Sequence, residues 1–344
     1  MDSPEPENRN KKVRRRDLPD DRHFYRGDDM KKYIVKRVLS LIPVLFIVSI
    51  IVFFLMHLVP GDPAAVMLGD MATEEEINAL REQMGLNKPL VLQYFSWIGG
   101  MFHGDFGESV FLEGSMLSIL KQYFGPTVSL TLCSLVIALV IALPLGIIAA
   151  KKRGRAADQA ISGFIMLGIS IPGFLMGLLL VLLFAVKLKW LPSSNYKSIK
   201  EYGLATHLYY MILPAVSLGL MQAALITRMT RSSVLEVLNC DYIKMAKAKG
   251  VSNFSLLVKH ALRNAVLPII TVIGQSFIAL LSGAAVVEKI FNIPGIGSLV
   301  VNSIGRRDYE VIQAVVLFIA VINILINLAV DLLYGLADPR VRLE

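Results

Sequence analysis

TVSLTLCSLVIALVIALPLGIIAA, residues Thr127 to Ala150, runs without a single Asp, Glu, Lys or Arg. A helix needs about 20 such residues to cross the hydrocarbon core of a bilayer. The run is uniformly apolar and does not alternate, so it reads as a helix that satisfies its own backbone hydrogen bonds, not as a barrel strand. Five further charge-free stretches share its character: Val38 to Leu58, Ile161 to Val186, Leu208 to Ile226, Ala265 to Val287 and Val311 to Val330. The sequence therefore predicts an all-α integral membrane protein with six transmembrane helices. The bulk composition agrees, at 55% hydrophobic and 18% charged over 344 residues, which is too apolar for an ordinary soluble domain.

Lys and Arg resist translocation, so their distribution sets the orientation. With both termini in the cytoplasm, 25 of the 35 basic residues fall on the inner side and 10 on the outer side. Only the short loop holding Lys187, Lys189, Lys197 and Lys200 opposes this. The net charge of +8 is accounted for by topology and contact with anionic lipid, and nucleic acid is not expected as a partner. Cys133 and Cys240 form no disulfide framework, and no metal-ligand cluster stands out. The first apolar run is a full span behind a long charged segment, which reads as a retained anchor and not a cleaved signal.

Residues 1–32 are charged and poor in aliphatic side chains, and are expected to be a disordered cytoplasmic tail. The first transmembrane helix is expected over 33–58, and an extracytoplasmic subdomain over 59–126. In that subdomain Thr73 and Glu76 form a capping box for a helix ending at Gly85. Val91 to Gly107 is aromatic and Gly-rich, an interfacial segment in which Tyr94 and Trp97 suit headgroup depth. A five-helix core over 127–337 and a cytoplasmic C-terminus over 338–344 complete the division. Five spans contain a proline, and Ile171-Pro172-Gly173 is a candidate hinge. Asp331 is expected near the interface, hydrated or paired with Arg340.

The loop Thr227 to Asn264 is long for a compact bundle. Asp241 to Lys249 favours a helix that stops at Gly250, and Ser252 can cap a second helix over Asn253 to Asn264. The result is an elbow parallel to the membrane. Small Ala246 and Ala248 would let it enter a groove on a partner, with Lys244, Lys247 and Lys249 steering the docking. Periodicity alone fits a basic hairpin lying on lipid equally well.

Motifs separate the two readings. Ala246-Lys-Ala-Lys-Gly250 with Lys259-His-Ala-Leu-Arg-Asn-Ala-Val-Leu-Pro268 resembles the EAA-loop signature of permease subunits of ABC importers. This chain keeps the alanines and the glycine, and has Lys244 where the family also uses acidic or neutral residues. Leu58-Val-Pro-Gly-Asp-Pro63, Gly104-Asp-Phe-Gly107, Glu288-Lys-Ile-Phe291, Pro294-Gly-Ile-Gly297 and Asp338-Pro-Arg340 are similar to its dipeptide/oligopeptide/nickel branch. The resemblance covers nearly everything from Tyr33 onward. It implies a type I ABC importer transmembrane fold, a homologous second permease, two cytoplasmic ATPases, an external substrate-binding protein and a bacterial inner-membrane location. It also implies that Asp241, Lys244, Ala246, Lys247, Ala248, Gly250, Val251 and Ser252 couple the permease to the ATPases. No G-x-x-x-x-G-K-[ST] loop occurs, so ATP and Mg are expected on partner chains, with no catalytic residue and no cofactor here.

Gln275, Ser276 and Ser282, with Asn323 and Asn327, offer uncharged hydrogen bonds in the last two spans. They either line a weakly selective translocation path or join neighbouring helices. A secondary transporter would be expected to carry mid-membrane carboxylates, and an intramembrane enzyme would need a nucleophile with its base. Neither pattern is present. Peptide cargo is favoured over nickel because the path residues include no imidazole or thiolate.

Overall fold

In the computed structural model, residues 27–58, 62–69, 71–107, 109 and 111–337 are described. Most of the expected tail, the C-terminal segment 338–344 and Arg340 lie outside them. The chain forms helices α1 (Gly27–Leu58), α2 (Pro63–Leu68), α3 (Glu74–Gln83), α4 (Leu90–Phe102), α5 (Met116–Lys151), α6 (Ala156–Ser170) and α7 (Gly173–Leu180). Then follow α8 (Ile199–Leu238), α9 (Asp241–Ala248), α10 (Asn253–Ser255), α11 (Arg263–Gly283), α12 (Ala285–Ile290), α13 (Ile296–Arg306) and α14 (Tyr309–Ala337). Wide π-helical turns at Val181–Lys187 and Leu256–Leu262 extend α7 and join α10 to α11.

Among the described residues, four helical segments are long and apolar enough to cross a membrane: Met116–Lys151, Ile199–Leu238, Leu256–Gly283 and Tyr309–Leu332. A fifth crossing is a broken pair, Ala156–Ser170 with Gly173–Lys187, bent by 101°. The expected single span over 161–186 is therefore two helices. Its break falls at Ile171 and Pro172, where the backbone turns extended. The described apolar part of α1 is Val38–Phe54.

Helix ends depart from the ends of the charge-free runs, because a helix stops where its hydrogen bonding stops and not where water begins. Helix α1 starts at Gly27, six residues before the expected first span. Helix α5 starts at Met116, inside the stretch expected to be loop, and α8 carries on to Leu238 through the first part of the expected cytoplasmic loop.

The α5–α8 pair is the spine of the bundle. Ser134, Ala138, Ala142, Gly146 and Ala150 recur every fourth residue along α5, and all are buried. Such a small-residue stripe lets two backbones approach closely. A Cβ on Gly146 would lie 2.6 Å from the Thr230 Cβ, and one on Gly219 would lie 2.8 Å from the Ser134 carbonyl oxygen. Gly168 of α6 meets Ala224 of α8 in the same manner. Near one end of α6, Asp158 accepts two hydrogen bonds from Arg231 of α8, at 2.7 and 2.9 Å, and one from the Gly154 amide at 2.9 Å.

The segment between α1 and α5 is a small helical unit. Thr73 and Glu76 form the expected capping box at the start of α3. Arg81 of α3 reaches Asp62, the cap of α2, at 2.6 Å. Tyr94 of α4 is buried against Phe53 of α1 and shares a 2.8 Å hydrogen bond with Ser49. Ser109 donates to Asp308, the residue before α14, at 2.6 Å.

Helices α12 and α13 fold back at the far end of α11 from α9. There Glu288 is wholly buried and accepts from the Thr127 hydroxyl at 2.6 Å and from the Ser298 amide at 2.8 Å. Thr127 in turn accepts from the Ile296 amide at 2.8 Å. The carboxyl thus caps the start of α13 and ties it to α5. Burial pushes the Glu288 carboxyl up from its ordinary value, against the downward pull of those hydrogen bonds. Gly295 leaves room for it, since a Cβ there would overlap the carboxylate.

Candidate coupling elbow and translocation path

Helix α8 ends in a tight turn through Asn239 and Cys240, and α9 follows at once. Ile243 is the buried anchor of α9. The helix ends at Gly250, whose φ of +79° is the left-handed conformation that favours glycine. The Gly250 amide donates to the Lys247 carbonyl at 3.0 Å and the Val251 amide to the Ala246 carbonyl at 3.2 Å, closing the corner. The Ser252 hydroxyl then accepts from the Ser255 amide at 3.3 Å, starting the next turn. That second arm, read from the sequence as a helix over 253–264 leading into the next span, begins as the short α10. It passes through the Leu256–Leu262 π-helical turn directly into α11. Tyr242 on the first arm and Asn264 on the second are bonded at 2.7 Å, which fixes the angle between them.

Of the residues expected to couple, Asp241, Lys244, Lys247, Ala248, Gly250 and Ser252 are exposed, and Ala246 and Val251 are half-buried. Lys244 is held by Asp241 at 2.8 Å, so part of its charge is spent within its own helix. Sequence reasoning missed the apolar part of this surface. Tyr242 and Met245, one helical turn apart, are exposed with Phe254 and Val258, and Phe254 is 76% exposed. Their signal was available, since apolar residues three apart on a charged helix mark a face.

The candidate path residues do not form one group. Asn323 of α14 donates to the Ser282 hydroxyl of α11 at 3.1 Å, joining two helices. Ser276 is buried, while Gln275 and Asn327 are exposed. Gln222 of α8, which the sequence reading passed over, is buried with its side-chain oxygen unpartnered. Among the described residues no group of three or more His, Cys, Asp or Glu is placed to hold a metal ion.

Comparison with known proteins bears on this arrangement. Residues 142–343 match the family described as binding-protein-dependent transport system inner membrane component, and residues 30–131 match its N-terminal companion. The chain is 44% identical over 313 residues to the probable peptide ABC transporter permease protein y4tP of Sinorhizobium fredii (strain NBRC 101917 / NGR234), covering 91% of this chain and 100% of that one. It is 43% identical to the glutathione transport system permease protein GsiC of Escherichia coli (strain K12), covering 91% and 99%. Among solved structures, the MetNI methionine ABC transporter in an inward-facing conformation is similar with a TM-score of 0.54 at 20% identity, over 66% of this chain and 100% of that one. At that identity the likeness speaks for the fold. The chain belongs to the inner membrane component family of binding-protein-dependent transport systems, as an integral membrane permease subunit of an ABC importer.

Proposed function

We propose that this permease pairs with a homologous second permease to form the passage for short peptides delivered by an external binding protein. Two cytoplasmic ATPases drive it by gripping the elbow 239–264. The observation that carries this reading is the elbow itself. Its exposed face combines Tyr242, Met245 and Phe254 with Lys247 and Lys249, and its second arm is continuous with a membrane-crossing helix. A groove on a partner that holds this face can move α11 directly, which is how closure of a motor becomes rearrangement of a bundle. ATP and Mg belong to the partners in this reading.

Peptide cargo is supported by the functions named for two relatives, one a probable peptide permease and the other a permease for glutathione, itself a tripeptide. A bacterial inner membrane with both termini inside is supported by the excess of basic residues on the elbow's side. The test is reconstitution of the permease with its genomic neighbours in proteoliposomes. ATP-dependent accumulation of a labelled peptide is expected only when the binding protein is present. Accumulation driven by an ion gradient without ATP would overturn the proposal.

A further inference from the structure

At the end of the bundle opposite the elbow lies an open cleft of about 350 Å³, lined by Tyr123 of α5, Asn195 and Tyr196 of the loop before α8, and Lys289, Asn292 and Asn302 around α12 and α13. The volume lies at the small end of ligand pockets, about 300–1,000 Å³. Its lining combines amides and phenols with one ammonium. Glu288 also borders it, but that carboxylate is wholly buried and already held by Thr127 and the α13 backbone. Lys289 donates to the Asn302 side-chain oxygen at 2.5 Å, a neutral partner that positions the ammonium without cancelling its charge.

Both walls are fastened. The Asn195 wall is held by buried His207, whose ring nitrogens lie 2.6 Å from the Ser129 hydroxyl and 2.6 Å from the Lys197 carbonyl, with Tyr196 edge-on to the ring at 5.6 Å. The Asn292 wall is held by Glu288. Asn195 and Asn292 adopt φ of +84° and +50°, two of the four non-glycine residues in the left-handed region among the described residues. Asparagine tolerates this region, so turn geometry explains the residue type. It does not explain why both are exposed beside one cleft, without a side-chain hydrogen bond among the described residues. Uncommon backbone held by rigid surroundings tends to gather where ligands bind.

We infer that this cleft is a contact site for the cargo peptide, in which Lys289 takes the C-terminal carboxylate and the Asn195 and Asn292 amides pair with peptide N–H and C=O groups. Carboxamides match peptide groups as donor and acceptor at once and read no side chain. The ammonium supplies the single charge-assisted contact. The inference rests on the proposed peptide import and adds where on this chain the peptide is touched.

The test places a photoreactive benzoylphenylalanine at position 123, in place of the aromatic Tyr123 on the cleft wall, in the assembled importer, with binding protein, ATP and a radiolabelled short peptide. Illumination should label the permease. Lys289→Gln added to that variant should reduce labelling at least about fivefold, a loss near 1 kcal/mol by RT ln 5. Lys289→Arg should restore it, and a C-terminally amidated peptide should label as poorly as the Gln variant. If the parent complex imports the peptide but position 123 captures none, the cleft is not a cargo site while peptide import stands. Capture of the binding protein in place of the peptide would overturn the inference and make the cleft a docking surface. If the parent imports no peptide, the reading beneath it fails as well.

Discussion

Glu288 shows how one buried carboxyl can organise several segments. It receives a hydroxyl from α5 and an amide from the first turn of α13. Truncating it to Ala would leave those donors unpaired, at about 1–3 kcal/mol for each buried group. Because the folded protein raises this carboxyl's pKa, the folded state holds the proton more tightly than the unfolded chain. Its contribution is therefore fully present below the ordinary glutamate range, and is lost as pH rises from there through the raised value. Thermal unfolding of the parent and of Glu288→Gln, followed across pH, should give a difference curve that falls over that window and is flat above it. A flat curve throughout would mean the carboxyl titrates as in water. Glu288 was quoted from the sequence only as part of a motif. Its partner Thr127 lies 161 positions away, and neither composition nor periodicity brings such residues together.

Among the elements, the capping box at Thr73 and the corner at Gly250 were legible because each is decided within a few residues. The break in the third span was legible only as a candidate. Pro43, Pro126, Pro144, Pro214 and Pro268 all lie inside continuing helices, and only Pro172 ends one. The difference lies in what neighbouring helices offer the freed backbone groups, which no local pattern records. The α5 stripe, by contrast, was written plainly at every fourth position and went unread, because a search for charge-free runs treats Ala, Gly and Leu alike. At the elbow, a Cβ on Gly250 would meet nothing within 4 Å, so the whole penalty of a β-branched residue there is backbone strain of about 1–2 kcal/mol. Gly250→Val should open the corner and uncouple the machine, with ATP hydrolysis persisting while uptake falls severalfold. Gly250→Asn, which tolerates positive φ, should retain most uptake. Equal behaviour of the two variants in paired ATPase and transport assays would remove the corner from the mechanism.

Across the whole molecule, the bundle and its membrane class were readable because lipid imposes a constraint that every crossing segment must meet. The contents of the polar end were not, since loops are fixed by their partners and not by the bilayer. The orientation has a direct check in Cys240, which sits in the turn between α8 and α9. With Cys133 replaced by Ser, a membrane-impermeant maleimide should label Cys240 in inverted vesicles and leave it unlabelled in intact cells. The opposite result would place the elbow outside and remove it from any ATPase. The second arm of that elbow runs through the π-helical turn into α11, and α11 stops one residue short of the helix bearing Glu288 and Lys289. In the proposed coupling, a push beneath the bilayer would therefore travel along one membrane-crossing helix almost to the opposite mouth. Under that proposal, a swing at the inner face is expected to bring a displacement at the outer one, so that the two mouths open in alternation.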